Sequence, residues 1–176
     1  GGGLHADNVA PSLLGGLVLC PQVLLPAIVR VPVPDGVSAV VMHPDLQVNT
    51  AQARRGLAKG YSMQDWLAQQ GLLAGFIVAC AGNDIELIGK TLKDIIIEPQ
   101  RKDNVPCFDA VQQAAQKAGA YGCSLSGSGP SMFALCADSE ARNVASAMEL
   151  ACRTQGIACE SWVSPLTAPG AAIEAA

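Results

Sequence analysis

The sequence predicts an α+β fold, a ferredoxin-like split βαβ domain over residues 34–165, preceded at 1–33 by the end of another domain. Three observations carry that expectation. From residue 37 onward the hydrophobic segments run strand, helices, strand, strand, helix, strand. The stretch VPVPDG at 31–36 holds two prolines and a turn dipeptide, which makes it the strongest internal boundary. Upstream of it, two short strand-like runs read as parts of a preceding sheet.

Taken in order, Asp7 or Asn8 can cap a short helix with Pro11 in its first turn and Gly15-Gly16 at its end. GLVLC and AIVRV then read as strands, and VSAVVMHP (37–44) as a buried strand stopped by Pro44. NTAQARRGLA (49–58) begins with a cap and reads as a helix. Over 62–82, Trp66, Leu67, Leu73, Phe76, Ile77 and Cys80 recur at spacings of mostly three and four, which predicts a long helix with a broad apolar face. A further helix over 83–94 carries Ile85, Ile88 and Leu92, IIEPQRKDNVP reads as loop, and CFDAVQQAAQKAGA is helical to Gly119. Strands YGCSLS and SMFALCA, a helix over 138–153 and strand IACESWV (157–163) complete the domain, with an Ala/Gly-rich flexible tail at 166–176. Trp66, Phe76, Trp162 and the methionines read as core.

Half of the 176 residues are apolar, enough for a real core, while the net charge of −4 and the lack of any dense Lys/Arg run argue against a nucleic-acid partner. Apolar runs are broken well short of the roughly 18–20 residues of a membrane span, so no membrane association is expected. The seven cysteines lack CxxC or His-rich spacing and read as buried thiols, not as metal ligands. With no signal pattern in view, the cytoplasm is the expected compartment.

Four stretches can carry chemistry. SGSGP, from Ser126 through Gly127, Ser128 and Gly129 to Pro130, offers backbone N–H groups to an anion, or serves only as a hairpin connection; it lacks the Lys-Ser/Thr ending of a P-loop. His5, Asp7 and Asn8 stand at a helix start, where an anionic or hydroxylated ligand fits and a plain N-cap fits equally. Arg54 and Arg101 stand out in a chain only 15% charged, and two guanidinium forks can clamp a carboxylate; solvated surface charge is the alternative. Glu98 is expected to pair locally with Arg101 or Lys102, and His43 to be structural.

Taken together and in this order, HADNVAPSLLGG, VNTAQAR, IIEPQR and SLSGSGPSMFAL resemble the homoserine kinases of the GHMP small-molecule kinase superfamily. The resemblance runs from His5 to the final strand. It implies phosphoryl transfer from ATP, with Mg²⁺, to the hydroxyl of homoserine in threonine biosynthesis. On that basis His5 and Asn8 are expected on the substrate side with Asp7 beside them. Asn8 and Asp7 are the candidates nearest the chemistry, and Arg54 and Arg101 form the carboxylate clamp. Ser126, Gly127, Ser128 and Gly129 would support the nucleotide's phosphate loop.

The main ATP loop and the acidic Mg²⁺ ligand of the family have no match here and are expected upstream of Gly1. The chain therefore reads as the carboxyl-terminal portion of such a kinase, inactive alone, with an exposed sheet edge that allows a homodimer. Two alternatives stay open: a sibling kinase of another small hydroxylated metabolite, and a non-catalytic module that binds an amino acid.

Overall fold

Alternation along one strand sets the plane of the main sheet. The computed structural model describes residues 6–49, 53 and 55–173. A short helix α1 (Val9–Leu14) leads to the two-stranded antiparallel pair β1 (Leu17–Leu19) and β2 (Val29–Val31). Then comes β3 (Val37–Pro44), in which Val40, Met42 and Pro44 turn to one face and are fully buried while Ala39, Val41 and His43 turn to the other.

The helices α2 (Met63–Gly82), α3 (Ile85–Thr91), α4 (Glu98–Arg101) and α5 (Phe108–Lys117) connect β3 to β4 (Gly122–Leu125). A hairpin leads from β4 to β5 (Met132–Ala137), and α6 (Ala141–Thr154) returns the chain to β6 (Cys159–Pro165). The sheet order is β4-β5-β3-β6, every pairing antiparallel, with Val40 opposite both Ala134 and Val163. That is the split βαβ arrangement the element order predicts.

Two helices cover the face that carries Met42. Phe108, Val111 and Ala115 on α5, and Val144, Met148 and Cys152 on α6, recur at three and four and so present one apolar stripe each. They meet Val40, Met42, Val105 and Met132 in the main core. Each large side chain fully buried there contributes about 1.5–3 kcal/mol.

A second, smaller cluster joins Ala79 and Cys80 of α2 to Ile88 of α3 and Val31 of β2. Local sequence makes this helical hairpin: Ser62 Oγ accepts from the Asp65 N–H at 3.0 Å to start α2, and Asn83 ends it in the left-handed region at φ 53. Asp84 then caps α3 through the Leu87 N–H at 2.9 Å. The segment after β6 runs back along α1, with the Gly16 N–H on Ala168 O at 3.1 Å and the Ala171 N–H on Ser12 O at 3.0 Å.

Three expectations need correction. Residues 98–101 form a helical turn followed by a 3-10 turn at 102–104, not a loop, because Pro99 sits in the first turn of α4, where its missing N–H is not needed. Trp66 (52% exposed), Trp162 (53%) and Met63 (71%) are not core residues. Among the described residues no layer covers the first half of α2 or the β6 side of the open sheet face, whereas Met42, Met132 and Met148 are fully buried. Asp7 and Asn8 make no side-chain cap to α1, whose first turn closes instead through the Ala10 N–H on Ala6 O at 2.8 Å. In the helix expected over 49–58, residues 50–52 and 54 lie outside the described residues; the Ala53 N–H reaches Asn49 O at 2.9 Å.

Six of the seven cysteines are buried and Cys20 is half-buried. Burial pushes the Cys123 thiol up to about 12 and the Cys136 thiol up to about 11, so neither presents a thiolate at neutral pH. At pH 8 the native protein is expected to react quickly with a disulfide reagent at one thiol only, and C20S to remove that phase. A fast phase of two or more thiols, or one that survives C20S, contradicts this packing.

Candidate functional site

The β4–β5 hairpin carries the Gly/Ser loop. Its own bonds make it a turn: the Ser126 N–H donates to Ser131 O at 2.8 Å, and the Gly129 N–H to Ser126 O at 3.1 Å. Those two amides are therefore taken inside the loop, and the N–H groups of Gly127 and Ser128 remain outside the turn's bonds. Gly127 and Gly129 have φ of 62° and 78°, where an L side chain costs about 1–2 kcal/mol. A Cβ on Gly129 would also stand 3.3 Å from Val105 Cγ2.

The short turn α4 is built against this loop. Asp94 Oδ1 accepts the N–H groups of Ile96 and Ile97 at 2.9 and 2.7 Å, which turns the chain into α4. Arg101, at the end of α4, donates from Nη1 to the Gly127 carbonyl at 2.9 Å. Its Nε is the only buried side-chain nitrogen or oxygen without a partner among the described residues. A buried guanidinium N–H without an acceptor is unfavourable by about 1–3 kcal/mol or more. A bidentate carboxylate uses two parallel N–H donors of one guanidinium, and here Nη1 is shared with Gly127 while Nε is shut from solvent.

One helical turn earlier on α4 lies a group the sequence reading misassigned. Glu98 pairs with neither Arg101 nor Lys102. Its Oε2 accepts from the Ser124 hydroxyl of β4, and its Oε1 from Gln112 Nε2 at 3.4 Å. Gln112 also donates to Cys123 O at 2.8 Å, and Lys102 binds Asp109 at 2.9 Å instead. The physical reason is burial: Ser124 is only 8% exposed, so its hydroxyl has to find an acceptor, and Glu98 supplies it. After burial, the charge of Glu98 is the second cause that raises the Cys123 thiol. The same carboxylate lines a polar cavity of about 260 Å³ with Lys93, Asp94, Gln112, Gln116 and Tyr121.

His43, read as structural, stands exposed at the end of β3, its Nδ1 sharing a 2.8 Å hydrogen bond with Ser131 Oγ at the foot of the loop. The structure thus brings Arg101 to the loop 126–130 and His43 to its far end. Asp7 and Asn8 are exposed just before α1, which is bonded to the C-terminal segment. His5 and Arg54 lie outside the described residues. Among the described residues no group of three or more His, Cys, Asp or Glu is placed to hold a metal ion. No described helix is long and apolar enough to cross a membrane.

Residues 76–154 match the family model described as GHMP kinases C terminal. Homoserine kinase of Xylella fastidiosa (strain M12) is 41% identical over 171 residues, which cover 97% of this chain and 52% of the relative. Homoserine kinase of Chlorobium phaeobacteroides (strain BS1) is 38% identical over 175 residues, covering 98% and 55%. The crystal structure of homoserine kinase from Cytophaga hutchinsonii superposes with a TM-score of 0.87 at 41% identity, over 91% of this chain and 51% of that one. The chain spans about half the length of the curated relatives it matches.

The loop geometry is open to a direct check. G129A is expected to destabilise the protein by about 1–3 kcal/mol, from positive φ and the Val105 contact together, and S128A by less than about 0.5 kcal/mol. Equal denaturation midpoints for G129A and the parent protein contradict it.

Proposed function

We propose, since residues 76–154 match the GHMP kinases C terminal model and the chain is 41% identical to a homoserine kinase over 171 residues, that it belongs to the GHMP kinases and is the acceptor-side part of a homoserine kinase. The observation that supports this most is Arg101: a guanidinium with one unpartnered buried N–H, seated against a Gly/Ser loop in a chain with few charges. Its chemistry suits the carboxylate of an amino acid better than a neutral alcohol. Arg54 is its proposed partner in the clamp, and His5, Asp7 and Asn8 stand nearer the acceptor hydroxyl. The Gly/Ser loop, with two amides free of its own turn, backs the nucleotide phosphates.

In this reading ATP supplies the γ-phosphoryl group. The homoserine hydroxyl oxygen forms the new P–O bond, the bond between the γ-phosphorus and the β–γ bridging oxygen breaks, and the hydroxyl proton leaves. The residues of this chain hold the acceptor in line, a contribution that positioning alone makes large. Mg²⁺ and the main ATP loop are assigned to no described residue. Cytoplasmic location and a homodimer belong to the same proposal.

The test compares homoserine with 3-aminopropan-1-ol, which has the same chain and hydroxyl but no carboxylate, in the catalytically active protein. Two charge-assisted hydrogen bonds at roughly 1.5 kcal/mol each put the preference for homoserine near a hundredfold in kcat/KM. R101A is expected to erase most of that preference by slowing homoserine while leaving the aminoalcohol unchanged. No homoserine-dependent ADP formation, or an R101A protein that still prefers homoserine by the full factor, overturns the reading.

A further inference from the structure

Two contacts between α4 and the β4 hairpin share one register. Glu98 meets Ser124 and Arg101 meets Gly127, in each case 26 residues on, so one turn of α4 lies along four residues of β4 and its loop as a two-point clasp. A helix of four residues does not hold its own conformation. Its other anchors reach elsewhere: Asp94 binds the turn to itself, and Gln100 ties it to the Ala58 N–H at 2.8 Å and to Ile96 O at 2.5 Å. Glu98 is the anchor to β4, and it is doubly held, by the Ser124 hydroxyl and the Gln112 amide. Ser124 lies two residues before the loop begins, so whatever fixes it fixes the loop's first arm.

We infer that Glu98 is a positioning residue: its carboxylate fixes α4 against β4 so that Arg101 reaches the Gly/Ser loop at Gly127. Glu98 itself faces Ser124, Gln112 and the polar cavity, and works through Arg101, not by touching a reacting atom. The kinetic consequence rests on the proposed acceptor role of Arg101; the structural one does not.

Two measurements separate them. The first follows solvent exchange of the Arg101 Nε–H by ¹⁵N NMR in the chain described, where that hydrogen is shut from solvent. E98A is expected to speed its exchange by about tenfold or more with the rest of the spectrum preserved, E98Q to return it to within about threefold, and S124A to fall between. If E98A does not fold, S124A carries the same decision, since it removes the donor and leaves the carboxylate. Exchange in folded E98A and S124A equal to that of the parent overturns the inference.

The second is a double-mutant cycle in the catalytically active protein. E98A is expected to raise the homoserine KM about tenfold with kcat and the ATP KM changed less than about twofold, E98Q to recover most of it, and E98A/R101A to be no worse than R101A. Additive effects of E98A and R101A, or a loss confined to kcat, overturn the positioning role. An R101A protein with an unchanged homoserine KM sinks the acceptor reading instead, and the exchange measurement still decides on Glu98.

Discussion

The Arg101 guanidinium, half-buried beside the Gly/Ser loop, has to find acceptors, and its surroundings answer to that requirement. Nη1 takes the Gly127 carbonyl, which joins a helical turn late in the crossover to the hairpin between two strands. Its Nε is buried without a partner. Everything that fixes the hairpin therefore bears on the site: the β4–β5 pairing from Gly122 opposite Leu135 to Leu125 opposite Met132, the buried Pro130, and the packing of Val105 under Gly129.

The main core supplies the rigidity. Met42, Met132 and Met148 lie in one apolar layer between the sheet and α5–α6, and β3 at the centre is bonded on both edges. The site hangs from the ends of these elements: His43 from the end of β3, Ser131 from the start of β5, Arg101 from α4. Placing polar groups at element ends on a packed scaffold holds them within hydrogen-bond reach without burying them in the core.

The fold was legible because its signals are periodic. Val40 and Met42 alternate with Ala39 and Val41, and Phe108, Val111 and Ala115 mark a helix, so strand and helix order followed directly. The hidden parts depend on contacts across 26 residues. No local pattern tells that Glu98 turns to Ser124 and not to Lys102, because the deciding fact is that Ser124 is buried. The exposure of Trp66 and Trp162 was illegible for a similar reason: hydrophobicity marks a face as apolar, and only tertiary arrangement says whether another layer covers it. At the site, Arg101 and the Gly/Ser loop were visible as odd residues in a charge-poor chain, whereas the clasp that joins them was not.

The most direct measurement is a crystal structure of the catalytically active protein with homoserine bound. The amino acid's carboxylate is expected within about 3 Å of the Arg101 guanidinium, beside the Gly127 carbonyl, with Nε now partnered. A bound homoserine whose carboxylate lies beyond hydrogen-bond reach of Arg101, with Nε still unpartnered, contradicts the assignment.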